Sequence, residues 1–238
     1  VLNPEGMPGV SNFEANFIAT IADNKAINDV NAILPSKTAK INKVYSSISA
    51  KAAVLLKPQE KKSGVLFVDL GGGTTNVAVY CNETLRYETS LPFGCETITN
   101  DISVGAEVEY EKASRLKYAI GLLGKERFGN QEVEFNLDGT NTVCHVGHLD
   151  FMIRARVEEI ISYIDAAVVK SRCRKYINSI VLTGGGASLV GISAAFQEHF
   201  MLPTNVAQMP ITFIEDCSVQ LAGALGLAHL FVQDNSKQ

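Results

Sequence analysis

At 238 residues, 46% hydrophobic and 19% charged, the chain can bury one large core or two smaller ones. A net charge of −4 gives no global basic field, which disfavours nucleic acid as a partner. The five cysteines (Cys81, Cys95, Cys144, Cys173 and Cys217) are odd in number, widely spaced and lack a CxxC pair, which suits a reducing compartment better than a disulfide framework. No apolar run reaches the roughly 18 residues of a membrane span. The opening VLNPEGMPGV has neither the basic start nor the apolar stretch of a signal peptide.

Residues 1–9 carry two prolines and two glycines and read as an extended, turn-rich segment. Residues 13–22 (FEANFIATIA) are apolar enough for a strand. Asp23 or Asn24 can cap a helix through Leu34, with Ile27, Val30, Ile33 and Leu34 on one face and Pro35 as its stop. Residues 44–56 (VYSSISAKAAVLL) form a helix whose small residues allow a neighbour to approach closely. The polar run KPQEKKS is expected to be a solvated link.

The chemistry concentrates in residues 64–80, GVLFVDLGGGTTNVAVY. Val65 to Val68 is a continuous apolar run, as in a strand buried on both faces. Asp69 closes the run, then come Gly71, Gly72, Gly73, Thr74 and Thr75, and a second β-rich stretch. Glycines permit positive φ and close backbone approach to a ligand. Successive N–H groups in such a turn can cradle an anion. A neighbouring carboxylate suits hydrated magnesium, which is held by one or two acids plus phosphate oxygens. The expectation is a phosphate-binding hairpin with Asp69 on the metal side. The same glycines would also serve an ordinary tight hairpin.

Beyond it, CNET at 81–84 reads as a hairpin loop and residues 85–91 as the returning strand. A helix starts near Thr97 or Thr99, and another spans residues 107–120, where Lys117 would by itself be an exposed cation on an amphipathic face. Residues 132–137 alternate like a strand, Asp138-Gly139 marks a turn, and residues 142–146 can pair back. Cys144, His145 and His148 cluster but lack a fourth ligand and zinc-like spacing. Residues 149–169 form a long helix with a core stripe, and the basic residues after it suit a helix C-terminus. Ile180 to Leu182 is a short buried strand. Thr183, Gly184, Gly185, Gly186, Ala187 and Ser188 then open a helix expected to run through His199, with donors and a positive dipole end facing a nucleotide. A plain strand–helix connection has the same composition. Val206 is strand-like, and residues 217–231 form a small-residue helix in which Gly223 and Gly226 favour close packing.

DLGGGTTNVAVY resembles the second phosphate loop of the actin-like ATPases. The ordered series NPEGMPGV, LPFGCETITNDIS, ASRLKYAIG, RARVEEI, VLTGGGASLVG and AGALGLAHL resembles the FtsA family of bacterial cell-division proteins nearly end to end. The resemblance implies an α/β fold: an actin-like (ribonuclease H-like) ATPase domain with a mixed sheet flanked by helices, plus an inserted smaller α+β subdomain. It divides the chain into residues 1–43, the end of a family-specific insertion; 44–91 and 176–238, core subdomain IIA with its connecting helices; and 92–175, subdomain IIB. It implies ATP and magnesium (Mg) as cofactors. Gly71, Gly72, Gly73, Thr74, Thr75, Lys117, Gly184, Gly185, Gly186 and Ser188 would hold the nucleotide and Asp69 the metal. Ser46 stands where relatives carry a water-orienting Glu or Gln, and Ser114 where they carry the ribose-binding acid, so weakened affinity and at most a weak ATPase are expected. The implied role is an adaptor on the cytoplasmic face of the membrane that polymerises and links FtsZ, through its C-terminal peptide and IIB, to the membrane and to other divisome proteins. The chain is expected to be a soluble fragment without the first phosphate loop and the membrane-binding tail. A sugar kinase or phosphatase of the same superfamily is the alternative.

Overall fold

The computed structural model describes residues 19, 21, 23–33, 41, 43–137, 139–209 and 221–235. The chain divides into two units, Val1–Asn42 and Lys43–Gln238. In the first, α1 (Asn24–Ile33) starts where expected, with the Lys25 amide donating to Asp23 Oδ1 at 2.9 Å. The strand expected over residues 13–22 falls almost wholly outside the described residues.

The second unit is built on β1 (Val65–Leu70), every residue of which is buried. Its neighbours explain why. β2 (Thr75–Cys81) and β3 (Thr84–Leu91) extend the sheet antiparallel on one side. On the other side, β6 (Ser179–Thr183) and β7 (Thr204–Val206) run parallel to it, giving the order β3-β2-β1-β6-β7. Alternate β1 side chains serve two cores. Leu66, Val68 and Leu70 pack with α4 (Glu96–Gly105), α5 (Tyr110–Ile120), α7 (Val146–Lys170) and α8 (Ile192–Phe200). Val65 and Phe67 face the opposite way, with α2 (Ser47–Leu55) and α9 (Ala222–Asn235). A strand covered on both faces needs apolar residues at both parities, and VLFV supplies them. The sheet is therefore mixed and flanked by helices on both faces. A separate hairpin, β4 (Glu132–Leu137) with β5 (Thr140–His145), lies beside α6 (Gly124–Phe128) and α7 in sequence.

Three local expectations change. KPQEKKS is a short helix, α3 (Pro58–Ser63), because Pro58 fits its first turn and Glu60 Oε2 accepts from the Lys57 amide at 2.7 Å. The helix expected from Gly184 through His199 is broken: Gly185–Ser188 is a single 3₁₀ turn, and α8 begins only at Ile192. The break is tertiary in origin. The Leu122 amide donates to Val190 O at 2.8 Å, and Gly191 takes φ 87° beside Leu122. Third, Gly71, Gly72 and Gly73 do not take left-handed φ; among the phosphate-bend glycines only Gly184 does, at 86°.

Candidate functional site

The β1–β2 hairpin carries the first glycine bend at its tip, residues 71–74. The parallel pairing of β1 with β6 sets Asp69 opposite Thr183 and so brings the second bend, residues 184–186, alongside the first. Contacts at the bends explain the glycines. A Cβ on Gly72 would stand 2.5 Å from Glu96 Oε1, and one on Gly71 would stand 2.6 Å from Thr74 O. A Cβ on Gly184 would meet Leu70 O at 2.5 Å and Asp69 Oδ1 at 2.6 Å. By contrast a Cβ on Gly73 or Gly185 would meet only ordinary contacts, Glu96 Oε2 at 3.9 Å and the Tyr118 hydroxyl at 3.6 Å.

Cys95 joins the two bends. Its amide donates to Gly71 O at 2.8 Å, and its Sγ occupies the place a Cβ on Gly186 would need. The next amide, Glu96, donates to Gly72 O at 3.0 Å, so the carbonyls of the first bend are tied to the start of α4. Burial pushes the Cys95 thiol up to about 11, partly opposed by the nearby Lys117 charge. Lys117 is not the exposed cation its helix pattern suggests; it is buried, donating to Cys95 O at 3.1 Å and Thr99 Oγ1 at 2.8 Å. Burial lowers its pKa. It therefore props the first bend from beneath through Cys95. Its neighbour Tyr118, which the sequence did not single out, donates its hydroxyl to Gly185 O at 3.3 Å. Thr74 and Ser188 are exposed at the two bends.

Asp69, Asn76 and Thr183 form one cross-strand row on the α2 and α9 side of the sheet. Two buried oxygens in this row have no hydrogen-bond partner, Asp69 Oδ1 and Thr183 Oγ1; Thr75 Oγ1 is also unpartnered but lies level with Leu70, on the opposite face of the sheet. Buried polar atoms are nearly always satisfied, so this pair marks a place that an enclosed water would complete. The other carboxylate oxygen is engaged. Asp69 Oδ2 accepts from Lys51 Nζ at 2.6 Å and from Asn76 Nδ2 at 3.4 Å. Lys51 carries no motif and was not anticipated; only its spacing within α2 could have flagged it.

Ser46, by resemblance the water-orienting position, is instead the N-cap of α2. Its Oγ accepts from the Ser49 amide at 3.3 Å and donates to Glu88 Oε2 at 2.8 Å. Ser114, on α5, is half-buried one turn before Lys117. Of the Cys144, His145 and His148 cluster, His145 Nδ1 accepts from the His148 amide at 3.3 Å and caps α7. Among the described residues no group of three or more His, Cys, Asp or Glu could hold a metal ion, and no helix is long and apolar enough to cross a membrane.

Solved structures with this arrangement are actin-like. MreB5 of Spiroplasma citri bound to ADP superposes with a TM-score of 0.67 at 17% identity, over 92% of this chain and 68% of that one. The same protein bound to AMPPNP gives 0.65 at 18% identity, over 92% and 67%. The PilM–PilN type IV pilus biogenesis complex gives 0.52 at 16%, over 76% and 48%. Sequence relatives are more specific. The chain is 31% identical to the cell division protein FtsA of Neisseria meningitidis serogroup B over 210 residues, 86% of this chain and 50% of that protein. It is 29% identical to FtsA of Borreliella burgdorferi over 235 residues, 95% of this chain and 57% of that protein. It thus spans about half the length of the curated relatives it matches. A sequence profile described as "Cell division protein FtsA" matches residues 66–224, which contain both glycine bends, and the chain, actin-like in fold, belongs to the FtsA family.

Proposed function

We propose that the two glycine bends grip the phosphates of a nucleoside triphosphate, ATP in the cell, within an actin-like cell-division adaptor. Binding, not turnover, is the output. The adaptor polymerises in its nucleotide-bound form and connects FtsZ, through the FtsZ C-terminal peptide, to the cytoplasmic face of the membrane and to other divisome proteins. Residues 92–175 form the FtsZ-facing subdomain IIB; residues 44–91 and 176–238 form core subdomain IIA; residues 1–43 end the family-specific insertion. Membership of the FtsA family supports the division role, and two neighbours of the same fold hold AMPPNP and ADP.

The observation that carries the nucleotide reading is the side-by-side placement of the two glycine bends by the parallel pairing of β1 with β6, which sets Asp69 against Thr183, and their joining through Cys95. Gly71, Gly72, Gly73, Thr74 and Thr75 take one side of the phosphates. Gly184, Gly185, Gly186 and Ser188 take the other, with Lys117 behind the first bend through Cys95 and Tyr118 behind the second. Slow or negligible turnover follows from the side chains. Phosphoryl transfer to water needs a group that orients the nucleophile. Ser46 is spent on capping α2 and binding Glu88, and Asp69 is tied to Lys51.

The test uses the two glycines that have room. Neither Gly73 nor Gly185 has left-handed φ, so a side chain fits the fold but projects into the space meant for phosphate. Gly73→Asp and Gly185→Asp should each weaken a fluorescent ATP analogue by about tenfold or more, about 1.4 kcal/mol. The melting temperature should stay within about 2 °C of the parent, since surface substitutions away from packed features stay near ±0.5 kcal/mol. Unchanged affinity in both variants would remove the bends from the binding site.

A further inference from the structure

The carboxylate placed to serve a metal already has a cation on it. Lys51 Nζ lies 2.6 Å from Asp69 Oδ2, with the carboxylate side chain 4% exposed and the lysine side chain 23% exposed. The remaining oxygen, Asp69 Oδ1, is buried against Gly184. A divalent ion at this acid needs an oxygen that water and phosphate can also reach. Here one oxygen is held by an ammonium and the other has no solvent access. The donor set as folded does not fit magnesium.

We infer that the Lys51 ammonium takes the electrostatic place of the divalent cation, and that this chain binds a polyphosphate without a metal. The inference rests on the nucleotide reading above. A metal at such a site neutralises the repulsion between carboxylate and phosphate and fixes the phosphate oxygens. Lys51 can do both. It cancels the Asp69 charge, and it carries three donors, of which Asp69 takes one. Its side chain stays partly exposed, so the remaining donors have an outlet toward solvent. Lysine binds phosphate as a point charge on a flexible stem, so it needs no fixed coordination geometry.

The position is built by packing. α2 buries Ile48, Ala50, Ala52, Val54 and Leu55 against the sheet and α9, which leaves Lys51 between the helix and the end of β1. Gly223 on α9 lies across from its stem: a Cβ there would be 4.0 Å from Lys51 Cε.

Two measurements decide it, on the chain as it stands and on Lys51→Met, which keeps the apolar stem, Lys51→Ala, and Lys51→Met with Asp69→Asn. Manganese binding, followed by electron paramagnetic resonance without nucleotide, should be absent from the parent and appear in Lys51→Met and Lys51→Ala. It should vanish again in the double variant. A fluorescent ATP analogue should bind the parent equally well, within about threefold, in magnesium and in EDTA. The two single variants should weaken about tenfold or more in EDTA and recover in magnesium. Manganese binding by the parent as tight as by Lys51→Met would overturn the inference, as would a tenfold loss of parent affinity on chelation. If no variant binds nucleotide under either condition, the proposed function fails, while the manganese result still decides the role of Lys51.

Discussion

The helix that delivers Lys51 is set by its crossing with α9, and two glycines three residues apart make that crossing testable. A Cβ on Gly226 would overlap the Ala50 carbonyl oxygen and stand 3.1 Å from Ala50 Cα. A Cβ on Gly223 would meet only Lys51 Cε, at an ordinary 4.0 Å. Gly226 lies inside α9, where alanine gains about 1 kcal/mol of intrinsic helix stability, and Gly223 lies in its first turn, where the gain is smaller. At Gly223 nothing opposes the gain, and Gly223→Ala should stabilise the chain by about 0.5–1 kcal/mol. At Gly226 the obstacle is backbone, which no rotamer change can move, so the helices must separate. Overpacking of this kind costs about 1–3 kcal/mol, with backbone clashes at the upper end or above it. Gly226→Ala should therefore be net destabilising by about 1–2 kcal/mol, lowering the melting temperature by about 2–8 °C for a domain of this size. Urea titration of the three proteins gives the sign directly. If Gly226→Ala raises the midpoint as much as Gly223→Ala does, α2 and α9 do not cross at Ala50, and the placement of Lys51 falls with it.

Two further outcomes test other parts of the site. Ser46→Ala removes the acceptor for the Ser49 amide and one donor to Glu88, so it should cost about 1 kcal/mol in urea unfolding; no loss would show that α2 does not begin there. For Cys95, burial lifts the thiol from 9.0 to about 11. Each pH unit is a tenfold change in thiolate, so iodoacetamide at pH 8 should label it about a hundredfold more slowly than in urea, read by peptide mass spectrometry. The same thiol makes stability pH-dependent. The unfolded chain gives up the proton first, so the contribution is complete below pH 9.0 and is lost as pH rises to about 11. Wild type should lose stability over that window more steeply than Cys95→Ala, and parallel curves would place the thiol in water.

What the sequence showed and what it hid divide along a physical line. The β1 strand, the glycine hairpin and the strand ending in Thr183 were legible because local pattern announces them: a doubly covered strand must be apolar throughout, and a run of three glycines between two apolar stretches marks a bend. The reason for the glycines was only half legible. Positive φ explains Gly184, and the turn itself explains Gly71 through Thr74 O, whereas Gly72 is fixed by Glu96, a residue whose proximity only the fold creates. The broken helix after Ser188 has the same origin, since a carbonyl at Val190 committed to Leu122 leaves no mark on periodicity. α3 did leave a mark, a proline followed two residues later by a capping glutamate, but a helix with no buried residue has no apolar stripe to announce it.

Lys51 is the extreme case. A lysine on a small-residue helix ordinarily reads as solvated, and its partner Asp69 is 18 positions away on a different element. Burying an aspartate without a counter-charge would be costly enough to keep it neutral, so a nearly buried carboxylate at the end of a strand already implies a cation somewhere. Sequence inspection can demand that cation without saying whether it comes from solvent or from the chain. The distinction matters for function, because a metal arrives with the nucleotide and can leave with it, while a side chain stays. An acid neutralised from within presents the same electrostatic face to phosphate whatever the magnesium concentration. A binding site of that kind responds to the nucleotide alone, as a scaffold gated by occupancy requires and as an enzyme cycling a metal–phosphate complex does not.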